Sequence, residues 1–147
     1  MDIKKTLLKI LYWILSLTWG ALLSIPGLIG LVILGLAGCP IYKNGFSYIV
    51  VVGNNWGGLN LGVISFIENS GENYFQPTRR HEFGHSLQNI IFGPLQLFIV
   101  AIPSVIRYWY QTIRDRRGLP NKEYDAIWFE GTATKYGTKA INWIEGI

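Results

Sequence analysis

The sequence predicts a mainly α-helical membrane protein with a small β-hairpin or sheet. Three observations predict it. A long uncharged apolar run lies near the start, a β-branched run closed by glycines follows, and the rest reads as helices punctuated by proline and glycine. At 147 residues the chain has room for one domain. Half of its residues are hydrophobic, 15% are charged and mean hydropathy is +0.26, more apolar than an ordinary soluble domain.

Between Thr6 and Cys39 the one charge is Lys9, and Ile10 to Cys39 carries none. That exceeds the roughly 18 apolar residues that mark a membrane segment. A secretory signal competes, with Lys4, Lys5 and Lys9 as its basic start. Its apolar part would be far too long, and no convincing small-residue cleavage site follows. As one helix, residues 6–38 would measure about 50 Å against a hydrocarbon core of roughly 30 Å. The segment is therefore expected to be long and tilted, or broken at Ser24-Ile25-Pro26-Gly27 into a hairpin or re-entrant form. Residues 1–40 thus read as an N-terminal membrane anchor.

The run Tyr48–Val52 is rich in β-branched residues and ends in Gly53-Asn54-Asn55-Trp56-Gly57-Gly58. A second extended run, Leu59 to Ile67, follows, so the pair predicts a hairpin. A helix is expected from Pro77-Thr78 to Phe92, where Gly93-Pro94 stops it. The apolar stretch Leu95–Ile106, interrupted by Gln96 and Pro103, predicts a membrane-associated helix at about 95–113, nearer a re-entrant or buried length than a full span. Gly118-Leu119-Pro120 makes a turn, and Asn121 is the expected N-cap of a last helix over 122–144.

The net charge of +4 has local origins. Arg107, Arg114, Arg116, Arg117 and Lys122 follow the second apolar stretch, and Lys4, Lys5 and Lys9 precede the first. Basic residues flanking apolar segments suit a membrane face, and no nucleic-acid motif accompanies them. The single Cys39 excludes an intrachain disulfide.

The stretch RRHEFGHSLQN holds His81, Glu82 and His85, and these are the chain's only histidines. Residues four apart lie one above the other on a helix, so both imidazoles can reach one point. Two neutral imidazoles suit zinc and leave a tetrahedral ion needing a third protein ligand. Glu82 follows the first ligand, near the metal without binding it, where it can act as general base on a metal-activated water. Placed at random, two histidines and six glutamates would spell this pattern roughly once in 2000 chains, so accident explains it poorly.

With no histidine left, the third ligand must come from elsewhere, and the nearest downstream acids are Asp115, Glu123, Asp125, Glu130 and Glu145. Asp115 sits in an arginine-rich turn, and Glu123 falls in the first turn of the expected last helix, where the dipole alone explains it. Glu130 differs: it reads as mid-helix in IWFEGTATKYG, beside Trp128 and Phe129, with small residues just beyond. A carboxylate in such apolar company needs a partner. Leu59, Leu61 and Val63 belong to the strand segment that could align an extended peptide substrate.

HEFGH followed by a glutamate-bearing helix resembles the gluzincin branch of the zinc metallopeptidases. The 45-residue spacing, with an apolar insert, resembles the integral-membrane gluzincins. The run HEFGHSLQNIIFGPLQLF with IPS, then FEGTATKYG, is also similar to a group of small bacterial membrane proteins carrying HEyGHsxQ, a GPLY-type stretch and E-x-x-A-D. The resemblance covers roughly residues 59–137. It implies a zincin-like domain over 41–147, with the HExxH helix packed on the C-terminal helix. It also implies Zn2+ on His81, His85 and Glu130, with Glu82 catalytic. Gluzincins usually carry an aspartate four residues after the ligand glutamate; here stands Thr134, whose hydroxyl can still orient an imidazole, without charge. For oxyanion stabilisation the candidates are Tyr124, Tyr136 or an arginine.

The reading is a membrane-associated zinc-dependent hydrolase, a metallopeptidase acting on a peptide or protein, in the bacterial cytoplasmic membrane and with no nucleic-acid partner. The alternative is a non-catalytic, zinc-stabilised membrane protein that binds or regulates a partner. A shared zinc requires the segment at 95–113 to stay shallow or the last helix to fold back.

Overall fold

Asp2 caps the first helix, α1 (Ile3–Leu17), by accepting the Lys4 N–H. The structure, a computed structural model, describes residues 2–147. After α1 come α2 (Ala21–Leu36), β1 (Ile41–Asn44), β2 (Ser47–Val51), β3 (Gly58–Leu61), β4 (Ile64–Ile67), α3 (Glu72–Phe92), α4 (Ile102–Arg116) and α5 (Trp128–Glu145). The chain is thus mainly helical with a small four-stranded sheet.

The break in the N-terminal segment falls earlier than expected. Pro26 lies inside α2, and the chain turns at Thr18–Gly20, where α1 and α2 meet at 98°. Proline removes one helical hydrogen bond, which a packed helix can absorb. The corner instead follows from close approach. Asn89 of α3 donates to the Gly20 carbonyl at 3.2 Å, and a side chain at Gly20 would overlap it. Tyr12 of α1 reaches the common core beside Phe83 and hydrogen-bonds Ser86.

The sheet also departs from a simple hairpin. Its order is β1-β2-β4-β3, with β2 and β4 parallel and the other pairs antiparallel. The run Leu59–Ile67 folds back on itself at Gly62-Val63, and β1 is an addition that pairs with β2 through the Gly45-Phe46 turn. Gly45 and Gly62 take positive φ there, 62° and 65°, which glycine adopts without steric cost. Val63 therefore sits in a turn, fully buried, and not on a strand edge. Strand β4 is buried throughout its length and anchors the core with Val50, Phe83 and Ile141. Complete burial of a side chain like Phe83 contributes roughly 1.5–3 kcal/mol.

Helix α3 begins five residues before Pro77, after Gly71, whose carbonyl accepts from Tyr74 and Phe75. A 3-10 turn at Gly93–Leu95 and a π-helical turn at Leu97–Ala101 then lead into α4, 117° from α3. Pro103 falls in the first turn of α4, where its missing N–H costs nothing, so it interrupts no helix. Asn121 is no cap: its amide donates to the Gln111 carbonyl and the Asp115 carboxylate, and α5 starts only at Trp128. Glu123 consequently precedes the helix, and Glu130 occupies the first turn where the dipole favours an acid.

Helix α5 folds back along α3. A side chain at Gly84 would overlap the Ala133 carbonyl, and one at Gly137 the Arg80 carbonyl, so the two backbones touch. Arg79 and Glu145 clamp the far end with two hydrogen bonds of 2.8 and 2.7 Å. Among the described residues no single helix is long and apolar enough to cross a membrane. The pairs α1 with α2 and α3 with α4 reach that length only together and bent.

Candidate metal centre

The pattern of α3 places His81 and His85 one turn apart, and the α3–α5 contact brings the first turn of α5 onto them. The Nε2 atoms of His81 and His85 are 3.1 Å apart. Oε2 of Glu130 lies 3.0 Å from the first and 3.1 Å from the second. Tetrahedral zinc, with ligand bonds of about 2.0–2.1 Å, sets its ligand atoms about 3.3 Å apart. The three groups could hold a metal ion on these distances.

Hydrogen bonding explains why they converge. Gln88 donates to the Phe129 carbonyl at 2.7 Å and to Thr132 Oγ1 at 3.0 Å, which turns its Oε1 toward His85. His85 Nδ1 must then be the donor in its 2.8 Å bond to that oxygen. In neutral His85 the Nε2 lone pair therefore faces the Glu130 carboxylate with no hydrogen between them. Two acceptors at 3.1 Å repel unless a proton or a metal cation joins them, and one metal ion could do so for all three groups at once. His81 Nδ1 bonds Thr134 Oγ1 at 2.8 Å, so Thr134 meets the imidazole that its place on α5 predicted. Orienting bonds of this kind fix ring direction in metal sites.

Glu130 is fully buried. Burial would push its carboxyl up, but the bonds with His81, His85 and Ser104 hold it well below the usual carboxylate range. For His85, burial pulls downward, yet Glu130 and Glu82 outweigh it and the net direction is up. Glu82 lines the same cavity as the two histidines, is 5% exposed, and its Oε2 has no hydrogen-bond partner among the described residues. Burial pushes its carboxyl up, and the two histidines only partly oppose that. A side chain at Gly58 would crowd Glu82 Oε1, so β3 makes room for this carboxylate by carrying glycine.

The site opens on a cavity of about 540 Å3. His81, Glu82 and His85 form its floor with Asn60; Trp56, Tyr74, Val100, Val105, Tyr108 and Trp109 make apolar walls. Tyr124 lines it as well, 6.0 Å from the His81 ring between centroids. Burial and the Glu130 charge push the Tyr124 hydroxyl up, so it keeps its proton. Tyr136 is half exposed and lies outside the lining. Of the substrate-strand residues, Leu59 lines the cavity, whereas Leu61 and Val63 do not. No family model matches this chain, nor does any curated protein or solved structure.

Three contributing residues carried no role in the sequence reading. Gln88 stands three residues after His85, so helical spacing alone places it beside that ring. Asn60 donates to the Glu82 carbonyl from β3, and Ser104 of α4 donates to Glu130. Nothing in the local sequence announces either, because both reach the site through tertiary packing.

Proposed function

We propose that this chain is a membrane-associated zinc-dependent hydrolase, a metallopeptidase, with zinc on His81, His85 and Glu130. One observation carries the reading: His81 and His85, which converge with the buried Glu130, line the same cavity as Glu82, whose Oε2 has no partner among the described residues. Bound there, zinc would polarise a scissile carbonyl and acidify water. Glu82 takes the proton from the attacking water and passes it to the leaving nitrogen, and its upward pKa direction suits a group that both accepts and returns a proton. Tyr124 lines the cavity and Tyr136 does not, so of the two tyrosines Tyr124 is the oxyanion candidate, once its hydroxyl turns from Ser104 to the substrate.

Strand β3 supports an extended peptide as substrate. It is a sheet edge, and Glu68 N–H bonds the Gly57 carbonyl at 3.0 Å. By antiparallel alternation, Gly58 and Asn60 then turn their main-chain groups away from β4, toward the free edge beside Glu82. Placement at a membrane rests on exposed Leu7, Leu11, Ile14, Ile29, Ile33, Phe98 and Ile106, with Arg114, Arg116 and Arg117 ending α4. The alternative, a zinc-stabilised protein that binds a partner without catalysis, is favoured by one observation: the orienter of His81 is the uncharged Thr134.

The deciding experiment measures bound metal and cleavage of an unfolded protein substrate for wild type, E82Q and H81A. E82Q should keep its metal and lose about 10^2- to 10^4-fold in rate. Unchanged cleavage by E82Q removes the enzyme reading, and unchanged zinc content in H81A removes the site.

A further inference from the structure

Glu130 divides its two oxygens. Oε2 faces the imidazoles of His81 and His85, at 3.0 and 3.1 Å. Oε1 receives the Ser104 hydroxyl at 2.5 Å. The direction of that bond is settled, because an ionised carboxylate only accepts. Ser104 in turn lies 3.3 Å from the Tyr124 hydroxyl. With its own proton committed to Glu130, Ser104 accepts from Tyr124, and a chain Tyr124 to Ser104 to Glu130 results. Arg107, one turn further along α4, donates to the carbonyls of Glu123 and Tyr124 at 2.8 and 3.1 Å. Helix α4 buries none of its residues, so these polar contacts, and not a packed face, tie it to the site.

We infer that Ser104 is a positioning residue that restricts Glu130 to binding a metal through Oε2 alone. This rests on the metal reading above. A carboxylate free at both oxygens can chelate, taking two coordination positions. At a site with three protein ligands, that second oxygen would occupy the position that a catalytic ion keeps open. A hydroxyl donating to Oε1 draws charge from that oxygen, which makes it the poorer ligand. Without the hydroxyl, Oε1 is a buried acceptor lacking its partner, and the ion becomes the partner within reach. Ser104 would thus separate a reactive site from a closed one through the Glu130 carboxylate, without binding the ion itself.

Cobalt(II) reports this directly, since four-coordinate cobalt absorbs visible light several-fold more strongly than five- or six-coordinate cobalt. The full chain is loaded with cobalt as wild type, S104A, S104G and S104T. Alanine favours helix more than serine does, so S104A keeps α4; S104G is the second deletion of the hydroxyl. Wild type and S104T should show the intense spectrum, and both deletions should lose intensity several-fold. Intensity unchanged in the deletions, or lost equally in S104T, overturns the role of Ser104 while leaving the metal site standing. A weak spectrum from wild type overturns it in the same way. Wild type that binds no cobalt overturns the metal reading together with it.

Discussion

Helix α3 turns Arg79, Glu82, His85, Ser86, Gln88 and Asn89 inward, whereas α2 turns Ile25, Ile29, Val32 and Ile33 outward. Neither is an ordinary amphipathic helix: α3 carries polar groups inward, and α2 is apolar on both faces, with Leu23, Leu28, Leu31 and Leu34 inward. Most of the buried polar groups of α3 are answered by other elements, with Glu82 Oε2 and Asn89 Oδ1 left unpartnered among the described residues. Glu145 pairs with Arg79, Tyr12 bonds Ser86, the Gly20 carbonyl accepts from Asn89, and Gln88 spans to α5. The apolar side chains of α2 have no such answer on their outer face within the chain. The comparison teaches that α3 is held by specific partners and α2's outer face only by its surroundings, so the two should fail in different ways.

The strongest way to break the α3 side is G84A. Its Cβ would overlap the Ala133 carbonyl, a backbone atom that cannot rotate aside, so α5 must move off α3. A loss of about 3 kcal/mol is expected from urea unfolding in mild detergent, with metal binding lost alongside. Next comes E145Q, which leaves the Arg79 guanidinium, 9% exposed at its side chain, without its anion. A cost of about 1–3 kcal/mol is expected. The pH dependence has a definite sign. Arg79 holds the Glu145 carboxyl below its ordinary value, so its stabilisation is complete above the ordinary carboxylate range. It fades as pH falls through the lowered folded-state value, and E145Q should flatten that part of the stability curve. Smallest for the fold are I29K and I33K, each expected within about 0.5 kcal/mol of wild type. These same two should abolish co-sedimentation with phospholipid vesicles, and retained binding would remove the membrane face assigned to α2.

The candidate site was legible wherever helical spacing decides. His81, Glu82 and His85 follow from the i, i+4 rule. Thr134 entered only through the resemblance to gluzincins, while Gln88, three residues after His85, was open to helical spacing. Glu130 was legible as the acid in apolar company, although its place in the first turn of α5 was not. Helix ends moved because side chains found distant partners: Asn121 bonds back to Gln111 and Asp115 instead of capping, and Pro77 is absorbed within α3. The parallel pairing of β2 with β4 joins segments across an intervening hairpin strand, which no local pattern encodes. Ser104 was illegible for a related reason: its approach to Glu130 depends on the 117° bend between α3 and α4.

The separation of the ligands along the chain gives the site a timetable. Glu130 follows His85 by 45 residues. At synthesis rates of about 5–20 residues per second, the carboxylate emerges seconds after the imidazoles. Throughout that interval the nascent chain holds the two imidazoles and the Glu82 carboxylate but not the Glu130 carboxylate that completes the cluster. A metal held by all three groups would therefore arrive last, after the apolar N-terminal helices have been made.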